Sequence, residues 1–319
     1  MKIVSIITPV YNEEKNIKCC FDVVNNLDIP KQWDLEWVVI NDGSTDNSLS
    51  ILQDISNSCE LKISIIDQPN SGAASARKKG IEQCSGDYII ILDCDDELSA
   101  DSLNCINYEL EKRPESDIVL FDVSYTKDEI VTSEFEFLND FWPIDGKSAF
   151  KLCISDWGLP GWFFIKKRVM LQAISMKEQL TGQGNNITDD ELVTRFCLYI
   201  SEEIVKSNGR YFYNFNENST TKRVNSQYFL VSKISLTLDA FIKENCKDCL
   251  SLSNENLVNT FIDLACRKRD WKGKIENERD WIYAISKTLE AINTHQYLLS
   301  GSVSLKRKLR FAKHLLLWK

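Results

Sequence analysis

The chain has 319 residues, of which 43% are hydrophobic and 27% charged, and its net charge is −9. That length allows one large domain or two, with enough apolar residues for a sizeable core. The negative balance excludes a nucleic-acid binder, and no run approaches the roughly 20 apolar residues that span a bilayer. Met1-Lys2 leads straight into Ile3-Val4-Ser5-Ile6-Ile7 with no small-residue cleavage site, so the expected compartment is the cytoplasm. The eleven cysteines are odd in number and scattered. Cys84, Cys105, Cys153, Cys197 and Cys266 sit in apolar or helical surroundings, as reduced thiols acting as small hydrophobes do. Cys246-Lys-Asp-Cys249 is a lone C-x-x-C in a chain with two histidines, His295 and His314, and reads as incidental rather than as a zinc site.

Through about residue 125 the pattern alternates between strand and helix. Strands are predicted at Ile3–Thr8, Trp37–Ile40, Lys62–Ile66, Tyr88–Leu92 and Asp117–Val123. Helices are predicted between them at Glu13–Leu27, Ser44–Ser56, Ala73–Cys84 and Asp101–Lys112. Short, continuously apolar strands joined by helices imply an α/β fold, a mostly parallel sheet with right-handed crossovers. The pattern weakens around Lys127–Pro143, where acidic and aromatic residues mix. A helix to about Ser155 follows, then the loop Trp157-Gly-Leu-Pro-Gly-Trp162, a strand-like Phe163–Ile165 and a helix near Lys167–Ala173. A further helix is read at Leu192–Tyr199. From Gln227 onward the chain reads as helices, at Tyr228–Glu244, Asn254–Lys268, Glu278–Asn293 and Val303–Leu317. The expected division is a sheet domain over 1–225 and a helical region over 226–319.

The densest chemistry lies in Ile89–Glu97, where four apolar residues run into Asp93, Asp95 and Asp96. Ligands of open α/β sheets bind beyond the carboxyl ends of such strands. Carboxylates crowded there favour a hard cation such as Mg2+ or Mn2+; an acidic turn with an Asx-turn is the plainer reading. Three other segments fall at strand ends on the same side of the predicted sheet. Thr8-Pro9-Val10-Tyr11-Asn12-Glu13-Glu14 follows the first strand, with both glutamates expected in a first helical turn. Asn41-Asp42-Gly43-Ser44-Thr45-Asp46 follows the second, with Ser44 a candidate N-cap. Asn70-Ser-Gly72-Ala-Ala-Ser-Ala76-Arg77 opens a helix with small residues that leave room for a ligand, and no G-K-[ST] follows to make it a P-loop.

Together, TPVYNEE at 8–14, INDGSTDNS at 40–48, GAASAR at 72–77 and SGDYIIILDCDDEL at 85–98 resemble the motifs of the family 2 glycosyltransferases of the bacterial polysaccharide type, in the same order. The resemblance implies the GT-A fold, a Rossmann-like sheet flanked by helices. It implies a nucleotide-sugar donor, probed first as a UDP-sugar, a Mn2+ or Mg2+ cofactor, and a glycan or lipid-linked acceptor. By the same resemblance Asp42 would hold the base, with Thr8, Pro9 and Tyr11 lining its pocket and Glu13 near the ribose. Gly72 and Cys94 fall among the donor-binding positions. Arg77 would approach the pyrophosphate or the first carboxylate of the acidic cluster. Asp93 would contact the ribose, and Asp95, with Asp93, would coordinate the metal.

Further along, Thr181-Gly-Gln-Gly-Asn-Asn-Ile-Thr-Asp189-Asp190-Glu191 is similar to the family's E-D-E stretch ahead of a helix. One alignment makes Asp190 the catalytic base; another, which keeps Arg195 in register, makes it Asp189. Thr188 as an N-cap with acids in the first turn is the structural alternative. Tyr211-Phe-Tyr213-Asn214 is similar to the family's Y-Y-Y-R stretch over the donor phosphates, but Asn214 replaces the arginine, leaving Lys222 or Arg223 to supply charge. Trp157 and Trp162 fall where relatives build the acceptor pocket, and serve equally well as core residues.

The resulting expectation is an inverting, metal-dependent transfer of a sugar to an acceptor hydroxyl. A nucleotidyltransferase is disfavoured by the lack of a Gly- and Lys-containing loop in Val4–Lys15, and a non-catalytic nucleotide-sugar-binding subunit is the other class, since Asn214 departs from the pattern. Finally, Leu305, Leu309, Ala312 and Leu316 recur at helical spacing beside Lys306, Arg310 and Lys313, and no acid occurs from Lys306 to Lys319. Segment 303–319 therefore reads either as a membrane-surface helix, which would make the protein peripheral at the inner membrane face, or as a helix packed on an acidic body.

Overall fold

The computed structural model describes residues 2–128, 130–182, 189–215 and 224–318. The chain divides into two compact units. The first holds, among the described residues, everything through 150 together with 158–182 and 193–215; the second holds 151–157, 189–192 and 224–318.

One mixed sheet organises the first unit. Its strands are β1 (Lys2–Val10), β2 (Trp33–Asp42), β3 (Lys62–Gln68), β4 (Tyr88–Ile91), β5 (Glu97–Leu98), β6 (Ile118–Lys127), β7 (Ile130–Glu134), β8 (Phe163–Lys166) and β9 (Ile204–Asn214). Their spatial order is β3-β2-β1-β4-β8-β6-β9-β5, with β7 paired to β6. The first four strands are mutually parallel. Helices α1 (Ile17–Asn25), α2 (Ser48–Ser58), α3 (Ala73–Gln83) and α4 (Ser102–Lys112) alternate with them. Ile6, Ile7, Val39, Ile40, Ile89 and Ile90 are fully buried, which requires cover on both faces of the sheet and explains the continuous apolar runs in the middle of these strands. The chain builds β2 and β3 on one side of β1 and β4 on the other. The carboxyl ends of β1 and β4 thus frame the point where the strand order reverses, the usual place for a ligand in such sheets.

Beyond β4 the sheet changes character. β8 enters antiparallel to both β4 and β6, fixed by Phe164, whose ring stacks on Tyr88 at 4.8 Å and on Trp33 at 5.6 Å. β9 runs parallel to β6 and carries the short β5 on its other edge. Three further helices are α5 (Gly146–Leu152), α6 (Lys167–Thr181) and α7 (Asp189–Ile200).

A buried polar anchor lies toward the amino ends of the strands. Glu36 of β2 is 3% exposed. Its carboxylate accepts from Ser5 Oγ at 2.6 Å, Lys62 Nζ at 2.8 Å and Ser85 Oγ at 2.6 Å, tying β1 and β3 to the turn that precedes β4. Burial alone would raise its pKa, but the bonds from Lys62, Ser5 and Ser85 outweigh that and hold it at about 2.

The elements of the second unit are a 3-10 turn Tyr228–Leu230 and helices α8 (Val231–Asn245), α9 (Leu250–Asp270), α10 (Glu278–Ala291), α11 (Thr294–Leu299) and α12 (Leu305–Trp318). They share a core that includes Leu257, Phe261, Trp281, Ile285, Tyr297 and Phe311. The indole N–H of Trp281 donates to the Ser226 carbonyl at 2.9 Å, so the polar end of the largest core side chain is satisfied. Cys246, Asp248 and Cys249 bring three donor atoms within 4.8 Å of one another between α8 and α9. The exposed Asp248 carboxylate is ion-paired to Lys151. Among the described residues no helix is long and apolar enough to cross a membrane.

Two helix starts differ from expectation. α1 begins at Ile17, not Glu13, and α2 at Ser48, not Ser44. The residues before each helix form turns that bond to one another, and those bonds take the place of a helical first turn.

Candidate active site

The loops after β1 and β2 are sewn together. Asn12 takes φ 58°, a left-handed conformation that asparagine tolerates. Its amide donates to Ser44 Oγ at 3.0 Å, and its side-chain oxygen accepts from the Thr45 amide at 2.8 Å. The Glu13 amide donates to Ser48 Oγ at 2.9 Å and the Glu14 amide to Asp46 Oδ2 at 3.1 Å. Glu14 Oε2 in return accepts from the Asn47 side-chain amide at 2.9 Å. Ser44 therefore does not cap α2, and Glu13 and Glu14 stand ahead of α1, where the Glu13 carbonyl accepts from the Ile17 amide at 3.1 Å. The side chains predicted as caps fix one loop against the other.

Asp42, 3% exposed, performs the same service for the loop after β3. Its Oδ1 accepts from Gln68 Nε2 at 2.7 Å and the Ser71 amide at 2.8 Å, and its Oδ2 from the Gly72 amide at 2.8 Å. Gly72 has φ 85°, and Gly43, at φ 70°, lies so close that a Cβ there would stand 2.6 Å from the Asn70 backbone nitrogen. A side chain at Gly43 would prise the loops apart, and one at Gly72 would strain the backbone at its positive φ. Three loops at the carboxyl ends of β1, β2 and β3 thus form one bonded rim. On it Tyr11 is half exposed and Pro9 half-buried, whereas Thr8 is fully buried and accepts the Trp37 indole N–H at 2.9 Å.

The acidic strand end alternates in burial. Asp93 and Asp95 are half-buried, Cys94 and Asp96 buried. Arg77, in α3, places Nη2 at 2.8 Å from Asp93 Oδ1 and 2.9 Å from Oδ2. Cys94 belongs to the core, and a hydrogen bond with the Cys20 thiol, together with burial, pushes its pKa up. Asp96 accepts from Tyr211 Oη at 2.7 Å and from the Asn214 amide at 2.9 Å. Burial, then the charge of Asp93, push Asp96 up to about 8 against those two bonds. Glu13 feels the same crowding: burial raises its pKa first, an Asn16 bond opposes, and Asp95, Asp46 and Asp93 raise it further. Asp93 and Asp95 present hard carboxylate oxygens of the kind that Mg2+ and Mn2+ take.

Asn214 and Tyr211 both lie on β9, a strand that sequence reasoning missed because it weighed this stretch as a loop over the donor phosphates. Asn214 Nδ2 donates to the Asp95 carbonyl at 2.8 Å and to Glu97 Oε1 at 3.2 Å, and its Oδ1 accepts from Thr126. Asn214 therefore clamps the acidic turn. The alternation in Tyr211-Phe-Tyr213 was a strand signal that could have revealed β9, but no local pattern reports a bond between residues 118 positions apart. Trp162 packs on this strand, with ring centroids 5.5 Å from Tyr211 and 5.2 Å from Tyr213, and remains half-buried.

The residues expected to supply the base open α7. Asp189 is 2% exposed, while Asp190 is exposed and its Oδ1 accepts from the Glu191 amide at 3.0 Å. Arg195 is buried one turn later. Trp157 is half-buried in the second unit. The proposed cap Thr188 and the candidate cations Lys222 and Arg223 lie outside the described residues.

With this geometry in view, the relationships of the chain are plain. The family model of Glycosyl transferase family 2 matches residues 5–155, the stretch that contains all four sewn segments. EpsH of Bacillus subtilis (strain 168), named as a glycosyltransferase, is 25% identical over 276 residues, 84% of this chain and 77% of EpsH. The poly(ribitol-phosphate) beta-N-acetylglucosaminyltransferase TarS of Staphylococcus aureus (strain Mu50 / ATCC 700699) is 32% identical over 99 residues, 31% of this chain but 17% of that protein. The crystal structure of S. aureus TarS 1-349 in complex with UDP-GlcNAc superposes with a TM-score of 0.69 at 18% identity, covering 92% of this chain and 82% of that one. At that identity the likeness speaks for the fold, and the fold is the expected GT-A sheet flanked by helices. Over residues 5–155 the chain is thus similar to Glycosyl transferase family 2, the stretch that carries the rim and the acidic turn.

Proposed function

We propose that the protein transfers a sugar from a nucleotide-sugar, a UDP-sugar in the first instance, to an acceptor hydroxyl with inversion at the anomeric carbon. The reading assigns this chemistry to residues 1–225, with 226–319 as an accessory helical region, on the cytoplasmic side of the membrane and toward a glycan or lipid-linked acceptor. One observation carries it: at the reversal point of the sheet, Arg77 grips Asp93 beside Asp95, on a rim whose loops are locked by Asp42 and Asn12. Such a rim holds its polar groups in place before a ligand arrives, so little ordering cost falls on binding.

In this reading Pro9, Tyr11 and the Asp42-held loop through Gly72 receive the nucleoside, with Glu13 and Asp93 toward the ribose. Arg77 stands where charge develops on the departing diphosphate. Asp95, with Asp93, would hold Mn2+ or Mg2+, which when bound supplies further neutralisation of the leaving group. Asp190, exposed at the first turn of α7, takes the proton of the attacking acceptor hydroxyl as general base. Release of nucleoside diphosphate across a panel of nucleotide-sugars, with and without Mn2+, is the test. Turnover of one donor class that requires the metal is expected; tight UDP binding with no turnover of any donor, with or without acceptor glycans, would refute the assignment.

A further inference from the structure

We infer that α12 is a docking surface for an anionic lipid bilayer, lying in the plane of the interface. The helix is fastened to its own unit by one face only. Phe311 is fully buried with Phe261 and Tyr297, at ring distances of 5.9 and 5.2 Å, and His314 is buried beside Cys266. Arg307 reaches Asp156 at 3.1 Å and Glu255 at 3.7 Å from the same side. At 100° per residue these three positions cluster on one side of the helix, and Leu305, Leu309, Ala312 and Leu316 fall on the opposite side, in a stripe about 60° wide. The structure leaves that stripe uncovered: Leu305 is 71% exposed, Leu309 62% and Leu316 75%. The two readings that sequence left open are thereby separated. The helix does pack on the protein, but through Phe311 and His314, and the leucine stripe faces away from that contact.

What covers the stripe is decided by charge. Lys306, Arg310 and Lys313 flank it on one side, Lys308 on the other, and none of the four has a carboxylate partner among the described residues. Residues 306–319 hold six of the chain's 38 basic residues and none of its 47 acidic ones, so the remainder carries −15 against a total of −9. Two copies of this face brought together would oppose four cations with four cations. A bilayer with anionic headgroups takes the leucines into its acyl boundary and leaves the lysine and arginine stems to extend upward to the phosphates. Each such cation near an anionic leaflet is worth about 1 kcal/mol, or roughly fivefold in partition, so attachment is reversible and weakens with salt. This inference does not depend on the sugar-transfer reading.

Sedimentation of the full chain with phosphatidylglycerol-containing vesicles, against pure phosphatidylcholine vesicles, at low and high salt, tests it. The chain is expected to pellet with the anionic vesicles at low salt and to be released by high salt. Leu305→Ser/Leu309→Ser/Leu316→Ser and Lys306→Gln/Arg310→Gln/Lys313→Gln should each lower partition at least tenfold, with the melting temperature and the rate of UDP release unchanged. Failure of the full chain to pellet at low salt overturns the inference, as does equal binding to neutral vesicles or full binding by the leucine variant. A dimer in sedimentation velocity that the leucine variant dissolves, with no vesicle binding, assigns the stripe to a second copy instead.

Discussion

Glu36→Gln separates what holds the sheet from what works at its edge. The carboxyl is held at about 2 against an ordinary value of 4.5, a depression of about 2.5 units. At about 1.36 kcal/mol per unit this is worth about 3 kcal/mol at pH 7. The group is depressed, so its contribution is full above the unfolded value and drains away as pH falls through 4.5 toward 2. By pH 3 about 1.4 kcal/mol should remain, and below 2 essentially none. Glutamine keeps the shape and the Ser5 bond but cannot take the Lys62 charge. Urea denaturation of both proteins from pH 7 to pH 3 should therefore show a gap that closes by more than half, with m-values alike. UDP affinity at pH 7 should be unchanged, because Glu36 lies toward the amino ends of the strands and the rim at their carboxyl ends. Parallel stability curves across that range would refute the account of the buried network, and a lost UDP site would refute the separation.

Asp95→Ala should abolish Mn2+-dependent UDP binding in calorimetric titration while leaving the melting temperature within a few degrees, since the side chain is half-buried beyond the strand; unchanged affinity would remove Asp95 from the metal assignment. Asp190→Asn should retain UDP binding and lose about 10²–10⁴-fold in transfer rate. Asp189→Asn should lose much less in rate, and the reverse order would make Asp189 the base. Tyr211→Phe leaves the ring in place but strips the buried Asp96 of one donor, so stability should fall by about 1–3 kcal/mol in urea denaturation. A change below about 0.5 kcal/mol would mean that the acidic turn is anchored elsewhere.

The parts of the fold legible in sequence are those whose pattern is local. Strands β1, β2 and β4 announce themselves because burial on both faces demands apolar runs, the edge strand β3 by its isoleucines, and the helices between them by period 3.6. Helix starts at Glu13 and Ser44 were misplaced because serine, aspartate and asparagine serve loop-to-loop bonds as readily as caps, and sequence does not show which partner is near. β9 was passed over because its Tyr and Asn residues were weighed as ligands. Its pairing with β6 and its bonds to Asp96 join segments about a hundred residues apart, a distance no periodicity spans. On α12 the apolar positions were legible, but the residues that face the protein were not: Phe311 and His314, rather than the leucine stripe, make the contact.

The alternation at residues 93–96 shows how one strand end carries structure and chemistry at once. Beyond the end of β4 the four residues close a tight turn, in which the Asp96 amide donates to the Asp93 carbonyl at 3.0 Å. Here the inward pair, Cys94 and Asp96, fills the core and ties to β9; the outward pair, Asp93 and Asp95, faces the rim. Fixing the inward pair fixes the outward pair, because the bond from the Asp96 amide to the Asp93 carbonyl holds all four residues in one turn. The cost is a buried carboxyl, Asp96, that is met by a phenol and a backbone amide rather than by a cation. A lysine or arginine in that place would have satisfied the charge equally, but it would have added a second cation to the Arg77 that already grips Asp93 and further weakened the turn's claim on a metal. Neutral donors hold the turn without competing for it, and Asn214 is one of them.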